Sequence, residues 1–93
     1  MIKHIVMWKL RDKADAVEIK ARLEALNGKI PGLIKIEAGI DFLGSEQSAD
    51  VVLYSEFKSE ADLKTYIAHP AHQEAVAVIV PLVSERRVAD YSL

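Results

Sequence analysis

The spacing of apolar residues along the chain alternates between two periods, and the order of these periods limits the possible folds more than any other feature. Segments rich in β-branched and aromatic residues, with side chains alternating between two faces, predict strands, whereas apolar residues recurring every three or four positions predict helices. In chain order the segments are a strand over 3–10, a helix over 15–30, strands over 33–43 and 50–57, a broken helix over 59–80 and a strand over 85–93. This β-α-β-β-α-β order predicts an α+β, ferredoxin-like fold, in which helices cover one face of a four-stranded antiparallel sheet.

Length and composition indicate one domain and argue against several classes of partner. With 93 residues and 51% hydrophobic content the chain can form one core, so a single domain over 1–93 is expected. Charges of both signs are interleaved and sum to −2, which argues against nucleic acid as a partner. No cysteine is present for a disulfide or a thiolate site. The longest apolar run, 75–83, is too short to span a membrane, and we expect a cytoplasmic protein.

The first strand is apolar on both faces, which requires cover on both sides of the sheet. One face presents His4, Val6 and Trp8, and the other presents Ile5 and Met7. Helices cover only one face of a ferredoxin-like sheet. A second copy of the same sheet is the simplest cover for the other face, because a two-fold pairing needs only one self-complementary surface. A homodimer is therefore predicted, and the alternative is an open monomer in which Ile5 and Met7 are partly exposed.

Local signals set the expected starts and breaks of the helices. Asp15 and Glu18 have capping-box spacing at the start of the first helix, and Ser59 is positioned to cap the next one. His69 precedes Pro70. Because the residue before a proline is disfavoured in the α conformation, the second helix should break there and restart. His69 is accordingly interpreted as a bend or capping residue.

Two polar residues near this break, Tyr66 and His72, are candidates for chemistry. His72 lies on one helical stripe with Val76, Ile79 and Val83, so its imidazole is expected to face the interior. An imidazole titrates near neutral pH and can take a proton from a carbon or a phenol, while a tyrosine hydroxyl can hold or polarise a carbonyl. The alternative is a core histidine whose ring nitrogens are satisfied by the tyrosine hydroxyl or the backbone. On the residues alone this structural interpretation is the stronger of the two.

The remaining histidines and the tryptophan have less specific interpretations. His4 shares a strand face with Trp8 and could reach the same cavity as His72, or be a surface or core residue. Trp8 would serve as a pocket wall or as core. A metal triad of His4, His69 and His72 is disfavoured, because Pro70 breaks the helical register between the last two. No metal site and no cofactor are expected, since the nucleotide, phosphate, zinc-protease and serine-hydrolase motifs are all absent from the sequence.

Five stretches, taken in order, resemble the stress-responsive α/β-barrel domain family, often called Dabb. They are KHIVMWKL, IPGLIKIEAGID, DVVLYSEF, YIAHPAH and VADY. The resemblance covers nearly the whole chain. It implies a dimeric α+β barrel, in which two ferredoxin-like sheets pack face to face. It also implies varied functions, since the family includes stress-induced plant proteins with little defined chemistry and a polyketide cyclase.

The resemblance to the cyclase of this family implies roles for individual residues. Tyr66 takes the role of the catalytic tyrosine, His72 that of the general base, and His4 that of a pocket histidine. Leu23 stands where the cyclase has an aromatic pocket wall, and the residues after His72 differ throughout. The resemblance therefore does not carry over the substrate specificity, and it leaves the type of reaction open.

Both lines of reasoning predict a cavity between the helices and the sheet, with Tyr66 and His72 as the catalytic candidates. Its other expected lining residues are His4, Val6, Trp8, Ile19, Leu23 and Leu53. One hypothesis is a homodimer that binds a small hydrophobic or aromatic ligand without turnover, with a physiological role that is undefined or related to stress. The other is a cofactor-free enzyme, a cyclase, lyase or oxygenase with a histidine as general base, acting on a hydrophobic carbonyl or polyketide-like compound. The binding hypothesis is our first choice.

Overall fold

A computed structural model describes residues 1–93, and its strands and helices follow the predicted order. The bounds are β1 Ile2–Leu10, α1 Ala16–Glu24, β2 Leu33–Ile40, β3 Val51–Phe57, α2 Glu60–Ala68, α3 Pro70–Ile79 and β4 Val83–Ser92. Short 3-10 turns precede α1 and follow α3. No helix here has both the length and the hydropathy that crossing a membrane requires.

The four strands form one antiparallel sheet in the order β2-β3-β1-β4. Val6 of β1 lies opposite Leu53 of β3 on one side and Val88 of β4 on the other. Because β1 and β4 stand at the two ends of the chain, their pairing joins the most distant parts of the sequence. This sheet order and the β-α-β-β-α-β element order are those of the ferredoxin-like fold, which confirms the predicted fold class.

The hydrophobic core lies between the helices and one face of the sheet, which we call the inner face. Alternate residues of β1 are buried on that face, whereas Met7, on the opposite or outer face, is 45% exposed. Eighteen buried hydrophobic residues form a single cluster on the inner side. The helices thus cover the inner face at β1 and β3, as predicted, and leave the outer face and nearly all of β4 exposed.

α1 buries the predicted apolar stripe but is shorter than predicted. Ile19 and Leu23 are buried within it, and Leu26 and Ile30 are buried in the turns that follow. The helix ends at Glu24 because the next turns use tighter hydrogen bonds to the third residue back, beginning with the Leu26 amide and the Leu23 carbonyl. Apolar spacing therefore continues through turns that are no longer α-helical.

The predicted capping box at the start of α1 is wrong. The Asp15 side chain makes no capping hydrogen bond and its backbone is already helical, whereas a capping residue of this kind is extended. Asp12 has the extended conformation instead, and its carboxylate accepts a hydrogen bond from the Ala14 amide. The chain therefore enters α1 through a short turn that begins three residues earlier than the predicted cap.

The second helical segment breaks where the proline predicted. Ser59 accepts a hydrogen bond from the Asp62 amide and caps α2. His69 is extended, and its Nδ1 accepts a hydrogen bond of 3.1 Å from the Ala71 amide. Pro70 occupies the first turn of α3. These contacts confirm that His69 is a bend and capping residue.

β2 and β3 form the predicted hairpin with a long loop, although β2 ends at Ile40 rather than at residue 43. Phe42, expected in this strand, is 97% exposed in the loop. Asp50 fixes the far end of the loop, because its amide donates to the Trp8 carbonyl and its carboxylate accepts from the Leu10 amide. The loop is thus attached to β1, next to the residues that reach the inner face.

Candidate functional site

A cavity of about 530 Å³ lies between the helices and the inner face of the sheet. Residues from β1, β3 and β4 line it on the sheet side, and residues from all three helices line it on the other. Eleven of its seventeen lining residues are hydrophobic. Small-molecule sites in proteins are mostly apolar and occupy roughly 300–1,000 Å³, so size and lining both suit a small ligand.

Most of the residues that the sequence predicted for this cavity line it. They are His4, Val6, Trp8, Leu23, Leu53, Tyr66 and His72. Ile19 does not line it, because it is fully buried in the core under α1. The apolar stripe shows only that Ile19 faces inward, and the placement of α1 decides that Leu23, one turn later, is the residue that reaches the cavity.

The Tyr66 hydroxyl is buried at the cavity without a hydrogen-bond partner. Tyr66 projects from α2, and its ring packs against Phe57 at 5.0 Å and His72 at 4.4 Å between ring centroids. Burial raises the pKa of Tyr66 to about 12, so the phenol keeps its proton at neutral pH. The chain therefore presents a protonated O–H donor, with no acceptor of its own, beside an apolar space.

His72 is held in one tautomer by the backbone. Its Nδ1 lies 3.0 Å from the Ile67 carbonyl oxygen, and since a carbonyl only accepts, Nδ1 carries the proton. Burial lowers the pKa of His72 below its ordinary value of 6.5, and the charges of His4 and Arg86 lower it further, against the opposing effect of the Ile67 hydrogen bond. The neutral ring then has its free lone pair on Nε2, which can act as a base.

His4 pairs with Asp90, a residue that the sequence analysis did not assign. His4 is 5% exposed on β1, and its Nδ1 is hydrogen-bonded to the Asp90 carboxylate directly across on β4. The His4 ring lies 6.1 Å from that of Tyr66 and lines the cavity, whereas Asp90 is not among the lining residues. No local pattern indicates this contact, because it depends on the register between the first and the last strand.

Arg86 is the one lysine or arginine in the lining. Arg86 and Arg87 point to opposite faces of β4, as the alternation predicted, with Arg86 opposite Trp8 on the inner side. Arg86 is exposed, so it lies at the rim of the cavity rather than in its depth. The sequence predicted only that the two arginines form no patch, since nothing local shows that β4 borders a cavity.

His69 does not contribute to the cavity. Its ring nitrogen is engaged at the start of α3, and it is not among the lining residues. The structure brings together no group of three histidine or acidic side chains that could hold a metal ion. The three histidines therefore have three different environments: a carboxylate partner, a helix cap and a backbone carbonyl.

Comparison with known proteins identifies the family. The family model described as "Stress responsive A/B Barrel Domain" matches residues 2–93. A stress-response A/B barrel domain-containing protein of Arabidopsis thaliana is 28% identical over 95 residues, which cover 98% of this chain. The chain spans 36%, about a third, of that relative's length.

Solved structures share the fold over nearly the whole chain. A dimeric protein of unknown function and ferredoxin-like fold from Bacteroides fragilis is 35% identical, with a TM-score of 0.88 over 99% of this chain and 95% of that one. The hydroxynitrile lyase from Passiflora edulis is 19% identical, with a TM-score of 0.84 over 99% of this chain and 92% of that one, and this likeness shows the fold alone. Because the family model matches residues 2–93, nearly the whole chain, the chain belongs to the stress responsive A/B barrel domain family.

Proposed function

We propose that this chain binds a small, flat and mostly apolar molecule in the cavity between the helices and the sheet. The observation that carries the proposal is the Tyr66 hydroxyl, buried at the cavity without a partner. An unsatisfied buried polar group costs roughly 1–3 kcal/mol, and a ligand with a hydrogen-bond acceptor removes that cost. The ligand therefore carries an acceptor oxygen, such as a carbonyl, that meets Tyr66.

The shape and lining of the cavity support an aromatic or similarly flat body for this ligand. On the sheet side the cavity is lined by Val6, Trp8 and Leu53, and a sheet surface offers a flat molecule continuous contact. The opposite side is lined largely by aliphatic residues of α3, including Val76 and Ile79. Burial of apolar surface on both sides supplies most of the binding free energy, and Tyr66 sets the orientation.

The test compares two probes that differ in one group. 2-Acetylnaphthalene has a carbonyl oxygen, and 2-ethylnaphthalene replaces it with a methylene. Titration calorimetry should show that the wild type prefers the ketone by about tenfold, the value of one net hydrogen bond, and that Tyr66→Phe loses this preference. Tyr91→Phe is the control, because Tyr91 lies on the outer face. Failure of both probes to bind, or an unchanged preference in Tyr66→Phe, contradicts the proposal.

A second candidate function, cofactor-free proton transfer, is favoured by one specific arrangement. The rings of Tyr66 and His72 are 4.4 Å apart at their centroids, and Ile67 holds His72 in the tautomer with a free Nε2. If a ketone binds to the Tyr66 hydroxyl, Nε2 of His72 takes a proton from the carbon next to the carbonyl and the tyrosine stabilises the resulting enolate.

Deuterium exchange distinguishes this enzyme from a simple binding protein. 2-Tetralone, a flat ketone with acidic hydrogens beside its carbonyl, is incubated with the protein in heavy water and followed by NMR. Catalysis predicts exchange faster than in buffer alone, and a loss of that acceleration in His72→Gln. If tetralone binds but exchanges its hydrogens no faster than in buffer, the proposed proton transfer is wrong and the proposed binding function is unaffected.

We also propose that two copies of the chain pair through the outer face of the sheet. Met7 of β1 and Tyr91 of β4 lie on that face, each 45% exposed, with Ile5 beside them. On the same face the Lys3 ammonium donates a hydrogen bond of 2.7 Å to the Glu56 carboxylate. Each of these charges therefore already has a partner when the face is buried in an interface. The Bacteroides fragilis relative, at 35% identity, is described as dimeric, which supports a homodimer here.

A further inference from the structure

We infer that the ligand of this cavity carries a carboxylate, and that Arg86 binds it at the rim. The inference rests on the proposed binding function and adds the chemical class of the ligand. Arg86 lies on β4 opposite Trp8 and lines the cavity on the sheet side. No other lysine or arginine lines this cavity.

The guanidinium group of Arg86 is free to bind a ligand. No carboxylate of the chain forms an ion pair with it, in contrast to Arg22, which is paired with Glu18 on α1. Its side chain also donates no hydrogen bond within the chain, and its backbone carbonyl only accepts one from Arg87. An arginine has five N–H donors in a planar fork, and here all five are available.

No acidic residue near Arg86 forms an ion pair with it, including Glu46, which lines a neighbouring surface pocket together with Arg86. Asp90 lies on the same face of β4, four positions further along the strand, and its Oδ1 is hydrogen-bonded to His4. Glu85 is the one acidic residue in the lining, and it precedes Arg86 on the strand, opposite Lys9. Successive side chains of a strand point to opposite faces, so Glu85 and Arg86 diverge. Burial is the main cause of the lowered pKa of His72, and the charge of Arg86 lowers that pKa a little further.

A carboxylate fits this arrangement better than other anionic groups. The planar fork of arginine matches the two oxygens of a carboxylate, and such charge-assisted pairs are roughly twice as strong as neutral hydrogen bonds. Phosphate groups commonly attract several cations, and only one lines this cavity. The apolar lining requires that the rest of the ligand be hydrophobic. The expected class is therefore an arene carboxylate, or another flat apolar acid.

The experiment measures binding of 2-naphthoate and of uncharged 2-acetylnaphthalene by titration calorimetry at neutral pH. Arg86→Gln should weaken the binding of naphthoate by about tenfold or more, as expected for a charge-assisted hydrogen bond, and leave acetylnaphthalene unchanged. High salt should weaken naphthoate binding to the wild type but not to Arg86→Gln. Arg87→Gln is the matched control, since it removes the same charge from the outer face of the same strand.

The two proposals fail in different ways. If acetylnaphthalene binds in a Tyr66-dependent manner but Arg86→Gln and Arg87→Gln have the same effect on naphthoate, the carboxylate assignment is wrong and the binding function stands. If neither probe binds the wild type, both are wrong. Arg86 is exposed, so its replacement should leave folding intact, and circular dichroism of the variant verifies this.

Discussion

The Tyr66 hydroxyl is expected to be unfavourable for the stability of the free protein and favourable for ligand binding. Its hydroxyl is buried without a partner, so removal of that oxygen should cost the free protein nothing. We expect Tyr66→Phe to leave the free energy of unfolding unchanged or to raise it by up to about 1 kcal/mol. Urea denaturation of the ligand-free protein measures the difference.

Tyr54→Phe is the matched control for this measurement. The Tyr54 hydroxyl accepts a hydrogen bond from Lys3 at 2.7 Å and donates one to Glu56, so its removal should destabilise the protein by about 1 kcal/mol. If Tyr66→Phe is destabilised as strongly as Tyr54→Phe, the Tyr66 hydroxyl has a structural partner. The ligand proposal then loses its main support.

His72 is expected to make folding sensitive to mildly acidic pH. The pKa of His72 in the folded state lies below the ordinary value of 6.5, chiefly because of burial. As the pH falls below 6.5, the unfolded chain therefore binds a proton at this residue more readily than the folded chain does. Stability therefore falls as the pH drops through 6.5, and above it the ring is neutral in both states. The free energy of unfolding should decrease more steeply from about pH 8 to about pH 5 in wild type than in His72→Gln.

Two glutamates also make stability depend on pH, but at lower pH than His72, so the two effects can be separated. Hydrogen bonds from Lys20 and Lys3 lower the pKa of Glu24 and Glu56, respectively, below the ordinary value of 4.5. The stability that they add is present above that value and is lost as the pH falls through their folded-state pKa. If the free energies of unfolding of wild type and His72→Gln change with pH in the same way above about pH 5, folding does not lower the pKa of His72.

At the scale of elements, the junction of α2 and α3 positions the candidate site. Tyr66 lies at the end of α2 and His72 at the start of α3, so the break at His69 sets the angle between their side chains. His69→Ala removes the side-chain acceptor of the Ala71 amide and should lower stability by about 1 kcal/mol. His69→Asn keeps an acceptor and should lose less, as measured by urea denaturation. Equal losses in both variants would mean that the cap contributes nothing.

At the scale of the whole molecule, the exposed outer face predicts self-association. The protein should sediment at twice its chain mass of 10.3 kDa at micromolar concentration, with an interface that buries well over about 1,000 Å² in total. Met7→Lys places a charge in the centre of that face and should shift the protein toward the monomer.

Val17→Lys is the matched control for the dimer. Val17 is 70% exposed on α1, away from the sheet, so the same charge there should leave the mass unchanged. Analytical ultracentrifugation compares the three proteins. A wild type that is monomeric, with Met7→Lys identical in mass and stability, would show that the outer face is open in solution.

The sequence by itself determined the order of the elements and the residues that face inward. Periodicity is local, because a strand or helix must bury one side, and so Val6, Trp8 and Leu23 could be assigned to the interior before any contact was known. The break at His69 was equally predictable, since it depends only on the proline that follows.

Only the tertiary structure decided which inward-facing groups meet. His4 and Asp90 are 86 positions apart and pair only because β1 and β4 are neighbours in one register. Ile19 and Leu23 share a stripe on α1, yet only Leu23 reaches the cavity, because the placement of the helix on the sheet is a property of the whole core. The partnerless Tyr66 hydroxyl follows from the same packing. Contacts between distant segments depend on register and on the volumes of all the packed side chains together, and no local pattern in the sequence contains that information.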